Sequence, residues 1–342
     1  MSRALDKEVL KALSRGDPKQ IYDDLSRLFE APRADGLPLE IEILGKTHPL
    51  TPDVSFLIDE NAVGIPKIRL FQAFSVAYTR FKKIGTEVLP QEDGRVSAEV
   101  LRLTAVLLLV DAEQLTAANA RKRAILQDSR NGGDNGERLR REKWFVDSLL
   151  TSRLHRHTKS PVLWSHRRWL FSQFQKNGLQ VDIPLELRKV ILVSGERHPK
   201  NYYAWHHARW LVNTFVGGNH NETEILRAII ADVKDWCLKH HDDISGWTFL
   251  HFLLRRGGAT LDDERSSVFR DILQMAESFR WRNESVWWFI HAMASTGLLT
   301  AEDTAALEEA GGRMFGGLGD GDSEDGVLSR KWFQRFRETR AT

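Results

Sequence analysis

The sequence predicts an all-α protein built as a solenoid of helical hairpins, and three observations carry that reading. Nine of the eleven tryptophans lie between Trp164 and Trp288. Aligning on them yields KSPVLWSHRRWL around Trp164, KNYYAWHHARWL around Trp205, DISGWTFLHFLL around Trp247 and NESVWWFIHAMA around Trp287, at spacings of 41, 42 and 40 residues. Self-similarity at that period is the signature of stacked helical repeats. The β-branched alternation that marks strands is scarce across the same region.

Each period holds two helices of about 12 to 15 residues and two short turns. The tryptophan segment is the second helix: Trp205, Trp210 and Val212, or Trp164, Leu170 and Phe174, recur at near-helical spacing. Pro161 and Pro199 suit its start or the turn before it. The first helices are expected over Leu185–Ser194, Glu222–His240 and Asp263–Phe279. A weaker upstream copy, LTAANARKRAIL, sets Ala118 at the tryptophan position, so about five copies run from Leu101 to Gly297.

Three segments follow. Residues 1–100 hold N-terminal helices and an irregular stretch with five prolines between Ala31 and Pro66, which leaves room for a short hairpin. Residues 101–300 are the repeat array. Residues 301–342 contain GGRMFGGLGDGDSEDG, with seven glycines and four acids, expected as a mobile loop before a basic terminal helix.

Composition excludes several function classes. With 49 Lys plus Arg against 47 Asp plus Glu, the formal charge of +2 supplies no global field for nucleic acid. RNA binding by helical repeats is disfavoured on the same ground. The single cysteine, Cys237, makes no internal disulfide, so a reducing, cytoplasmic setting is expected. No apolar run approaches the roughly 20 residues of a spanning helix, so no membrane insertion is expected. His206 with His207, His240 with His241, and His155 with His157 lack a cysteine cluster or a zinc-binding helix pattern, so no metal is assigned to this chain.

Locally the charge is uneven. Ser148 to Gln180 is a 33-residue stretch without a carboxylate that carries Arg153, Arg156, Lys159, Arg167, Arg168 and Lys176. It marks an anion-facing surface, although Arg167, Arg168 and Arg209, fixed in the repeat, are expected to tie hairpins to neighbouring carboxylates or carbonyls. Trp164, Trp205, Trp247 and Trp287 recur at one repeat position and are read as packing between hairpins.

The run Asn201-Tyr202-Tyr203-Ala204-Trp205-His206-His207-Ala208-Arg209, the Trp164, His166, Arg167, Arg168 cluster, and Asn283-Glu284-Ser285 before Trp287 together resemble the repeats of protein prenyltransferase α subunits. Within that family, SPVLWSHRRW looks most like the divergent branch containing the α-like chain of the third geranylgeranyltransferase. The resemblance implies a right-handed superhelical crescent around a Rab-type β subunit that carries zinc, this chain itself binding no cofactor. It also implies transfer of an isoprenyl group from its diphosphate to a C-terminal cysteine of a protein substrate, SNAREs included. Lys159 and Lys200 would then stabilise the diphosphate with Tyr202, while Tyr203 and Arg209 would serve as substrate-binding residues. The alternative is a non-catalytic helical-repeat scaffold for protein–protein interaction, which the degenerate first and fourth repeats favour.

Overall fold

The computed structural model of the chain describes residues 16–32, 35–45, 54–86, 94–130, 134–217, 221–316 and 324–341. Helix dominates throughout, with one small sheet. The chain divides into two compact units, 1–181 with 196–198, and 182–195 with 199–342.

In the first unit, α1 (Pro18–Arg27) packs on α2 (Lys67–Thr86) and α3 (Gly94–Val110), and α3 on α4 (Leu115–Arg130). Asp17 caps α1 by accepting from Lys19 N, and Pro18 sits where a helix has no use for an amide hydrogen. The segment expected to be irregular folds instead as three strands, β1 (Glu40–Leu44), β2 (Leu57–Asp59) and β3 (Ala62–Pro66), in the order β1-β3-β2. β2 and β3 form the expected short antiparallel hairpin, while β1 pairs parallel to β3 with Ile41 opposite Val63. Short apolar alternation in EIEIL suffices for a strand once an existing helix supports it. That support is α5 (Asn135–Leu150): Ser148 Oγ accepts from Leu39 N at 2.9 Å, Trp144 donates its indole hydrogen to Leu37 O at 2.8 Å, and Arg153 N donates to Ile41 O at 3.1 Å. α5 pairs in turn with α6 (Pro161–Lys176), the first tryptophan helix.

The second unit begins with one helical stretch in three parts: α7 (Ile183–Glu186), a π-helical segment at Leu187–Ile191, and α8 (Leu192–Arg197), whose last two residues belong to the first unit. Then follow α9 (Tyr202–Phe215), α10 (Glu222–Lys239), α11 (Ile244–Arg256), α12 (Asp262–Ser278), α13 (Glu284–Ser295), α14 (Ala301–Phe315) and α15 (Glu324–Ala341). The first helices match the expected boundaries to within a few residues. They form one layer in which α10 meets α12 and α12 meets α14. The second helices form the other, in which α9 meets α11, α11 meets α13, and α13 meets α15. The hairpin pattern therefore runs past Gly297. The glycine-rich loop expected from residue 311 is helical to Phe315 and again from Glu324, and 317–323 lie outside the described residues. A capping box at Thr300 and Asp303 starts α14, which the glycines at 311 and 312 do not interrupt.

The repeat motif has a local cause. Four residues before each tryptophan stands a polar residue, and at three of the four it caps the helix: Ser160 accepts from Leu163 N, Asn201 from Ala204 N, and Asp243 from Ser245 N. The tryptophan lands one turn later on the face that meets the other layer. Trp164, Trp205, Trp247 and Trp287 are all at most 3% exposed, as the packing reading requires. Three of them donate the indole hydrogen to the carbonyl six residues upstream, on Thr158, His241 and Trp281. Turns of successive repeats are also stapled: Ser160 Oγ donates to Ala112 O, Lys200 N to Asp243 Oδ2 at 2.6 Å, Ser285 Oγ to Asp242 O, and Asn283 Nδ2 to His241 O. These bonds satisfy backbone groups that helix ends leave open.

Candidate functional site

Of the residues singled out in the sequence, Lys159 lies in the first unit and Lys200, Tyr202, Tyr203 and Arg209 lie in the second. Lys159 is exposed on the turn between α5 and α6. Lys200 is exposed in the turn before α9, with a left-handed φ of 58° that its backbone bond to Asp243 holds in place. Tyr202 and Tyr203 are 66% and 38% exposed at the start of α9. The Tyr202 ring stacks on His206 one turn along, at 5.7 Å between centroids and 12° between planes. Arg209 follows on the same face, half-buried, donating to Thr248 Oγ1 at 3.0 Å and lying over the Phe249 and Phe252 rings at 5.6 and 5.8 Å. The expectation that Arg209 is tied to a carbonyl or carboxylate is met only by a long bond to Trp205 O at 3.4 Å.

The structure adds residues that the motif search passed over. Arg209 stands four residues after its tryptophan, and the same register holds Lys122 and Arg168 in the first unit and His251 and His291 in the second. Every one of them is half-buried. Lys122 lies over the Trp169 ring at 5.8 Å, as Arg209 lies over Phe252. His251 meets the edge of Trp288 at 6.0 Å, and His291 packs on Trp332 at 5.1 Å. Burial lowers the pKa of Lys122, Arg209, His251 and His291 from their ordinary values, opposed at Arg209 by the Tyr202 phenol. Among the described residues none of these four has a carboxylate within 4.0 Å.

In the second unit the outcome is one continuous face along α9, α11 and α13. Tyr202 stacks on His206, Arg209 lies over Phe252 and His251 meets Trp288, so contact pairs run from each of these helices to the next. The three helices carry a single acid, Glu284, at the very start of α13. Tyrosine, tryptophan and arginine with few acids is the composition of binding hot spots. The signal was present in the tryptophan alignment, where the register four residues on is basic or histidine in every copy.

The position one residue earlier behaves differently. Arg121 and Arg167 are fully buried and paired: Arg121 with Glu142 at 2.5 Å, and Arg167 with Asp147 at 2.7 Å, which Lys143 also reaches at 2.7 Å. His166 Nε2 lies 2.9 Å from Glu142. Burial alone would raise the Glu142 pKa, but Arg121 and His166 outweigh it and hold the group at about 2. These clusters lie closed off in the first unit, so for Arg167 the structural expectation is met. In the second unit the register is apolar, at Ala208, Leu250 and Ile290. Among the described residues no group of three His, Cys, Asp or Glu side chains is arranged to hold a metal ion, and no helix is long and apolar enough to cross a membrane.

These observations define an all-helical protein of layered hairpins with an aromatic and basic face on its second helices. A family model described as the ECM9 middle domain matches residues 163–279, about a third of the chain. The matched stretch runs from α6 through α12 and includes Tyr202, Tyr203, Arg209 and His251. No curated protein matches the chain. The family match corrects the prenyltransferase α-subunit resemblance: two of the three motifs that carried it, the Trp164 cluster and Asn201–Arg209, fall inside the stretch that a different family model matches. Asn-x-x-x-Trp at a 40-residue period reports a cap and a packing indole, which any stacked hairpin can use, so the motif does not identify that family. The diphosphate role given to Lys159, Lys200 and Tyr202, and the zinc-bearing β subunit, were carried over from that resemblance.

Proposed function

We propose that this chain is a non-catalytic helical-repeat scaffold that holds a partner protein against the second-helix face of its second unit. The supporting observation is the run of half-exposed rings and basic groups from Tyr202 to His291 on helices nearly free of acids. Repeat layers suit this task because each hairpin adds a strip to one continuous surface. Tyrosine and tryptophan anchor an interface at low entropic cost, since two torsions fix a large apolar area. A cytoplasmic setting fits the lone, fully buried Cys237, whose thiol burial pushes well up in pKa and so keeps unreactive.

The test uses the full-length tagged chain, purified from its own cells beside two variants. Tyr202→Ala with Trp288→Ala alters the face, and Leu185→Ala alters an exposed side chain of the first-helix layer. A stoichiometric protein that is retained by the wild type and by Leu185→Ala, and lost from the double variant, is the expected result. Retention of a zinc-bearing subunit with transfer of labelled isoprenoid to a cysteine would overturn the scaffold reading in favour of an enzyme. So would the absence of any protein whose retention depends on Tyr202 and Trp288.

A further inference from the structure

Arg209, His251 and His291 occupy one repeat position on α9, α11 and α13, each beside an aromatic ring and each partly withdrawn from water without a carboxylate among the described residues. Their own fold meets them with hydroxyls rather than acids: Arg209 donates to Thr248 Oγ1, His251 Nε2 lies 3.3 Å from Thr296 Oγ1, and His291 Nδ1 lies 3.1 Å from Ser295 Oγ. Elsewhere in this chain several basic groups meet an acid: Arg121 meets Glu142, Arg167 Asp147, Arg256 Glu222 and Arg270 Asp303. Lys122 of the first unit also has no carboxylate among the described residues, and the three of the second unit share one face, which points outward.

We propose that this face takes an extended acidic segment of the partner protein, with one carboxylate settling over each of Arg209, His251 and His291. The proposal rests on the scaffold reading and names the chemistry of its partner. Packed helices lie about 8 to 10 Å apart. An extended segment in the polyproline II form rises about 3.1 Å per residue and turns once every three, so carboxylates three residues apart lie on one side at about 9 Å and match successive second helices. The rings of Tyr202, Phe252 and Trp288 alternate with the three basic groups and supply apolar contact for the residues between the acids. Arg209 can accept a carboxylate without releasing its contacts to Phe249 and Phe252, because a guanidinium stacks by its face and donates from its edge.

The probe is a fluorescein-labelled twelve-residue peptide with glutamate at every third position, measured by anisotropy against the full chain. A peptide with glutamine in those places and a twelve-nucleotide oligouridine serve as comparators. The glutamate peptide is expected to bind, to weaken as salt is raised, and to lose about tenfold or more in affinity on the triple variant Arg209→Gln, His251→Gln, His291→Gln. Arg209→Lys keeps the charge and is expected to fall between wild type and Arg209→Gln, which separates loss of charge from loss of fold. Equal binding of the glutamine peptide, or no effect of the triple variant, overturns the proposal. Tighter binding of the oligouridine overturns it too, by assigning the face to nucleic acid. The cellular partner separates the two readings: if it is lost with Tyr202 and Trp288 but retained undiminished by the triple glutamine variant, the face stands and its acidic occupant falls.

Discussion

Arg167 and Arg209 show how one residue type takes opposite roles within one repeated motif. They differ by a single place in register, and that place decides burial. Arg167, three residues after its tryptophan, turns into the first unit, where Asp147 meets it at 2.7 Å with both side chains at most 3% exposed. Arg209, four residues after, stays at the rim with rings and a hydroxyl as its neighbours, and with no acid among the described residues. Removing one member of a buried pair strands the other, so Arg167→Ala is expected to destabilise the protein by about 3 to 5 kcal/mol, read from denaturant unfolding. Arg209→Ala, which strands no charge, is expected to cost less than about 1 kcal/mol by the same measurement. Equal losses at the two positions would contradict this division.

At the scale of the element, the crossing of α10 and α11 shows what sets the distance between layers. Gly246, one residue before Trp247, faces Trp236 and Cys237 of the preceding helix so closely that an added Cβ would stand 2.6 Å from the Trp236 ring and 3.0 Å from the Cys237 sulfur. No side chain fits there while α10 and α11 keep their contact. Gly246→Ala is therefore expected to destabilise by about 1 to 3 kcal/mol through overpacking, as a lowered unfolding midpoint. An alanine at Gly312, where nothing lies within 4 Å, is the control and is expected to be neutral or slightly stabilising, because alanine favours helix over glycine. The hairpins were legible because cap and tryptophan repeat at fixed spacing. The parallel pairing of β1 with β3 was not, since its partners lie 22 residues apart and a five-residue strand leaves little periodicity to read.

For the whole molecule, the buried titratable groups fix how stability follows pH. Burial holds His157 and His166 below the ordinary 6.5, against the opposing pull of Leu108 O and of Glu142 respectively. Both rings take up a proton less readily in the folded protein than in the unfolded chain, so as pH falls through about 6.5 the unfolded chain binds more protons and stability falls. A second loss comes lower. Glu142 is held at about 2 from an ordinary 4.5, and Asp147, despite its burial, is held below 3.8 by Arg167 and Lys143. Their contribution is complete above about pH 4.5 and disappears as pH falls toward 2. The urea midpoint is thus expected to drop from about pH 7.5 to 5.5 and again to 3.5, and His157→Gln should flatten the first step; a midpoint level across this range would refute it.

The amino-acid sequence by itself determined the helical class, the hairpin period and the burial of its tryptophans, because caps, periodicity and apolar faces are local and act before any long-range contact. It also marked Tyr202, Tyr203 and Arg209, through a family resemblance that the ECM9 middle domain match contradicts. What only the tertiary structure decided is which basic groups are neutralised and which are not. That depends on Glu142 meeting Arg121 across 21 residues and on no acid among the described residues meeting Arg209, His251 or His291. Charge counted along the chain cannot distinguish the two cases, since pairing is settled by packing between layers rather than by order in the sequence.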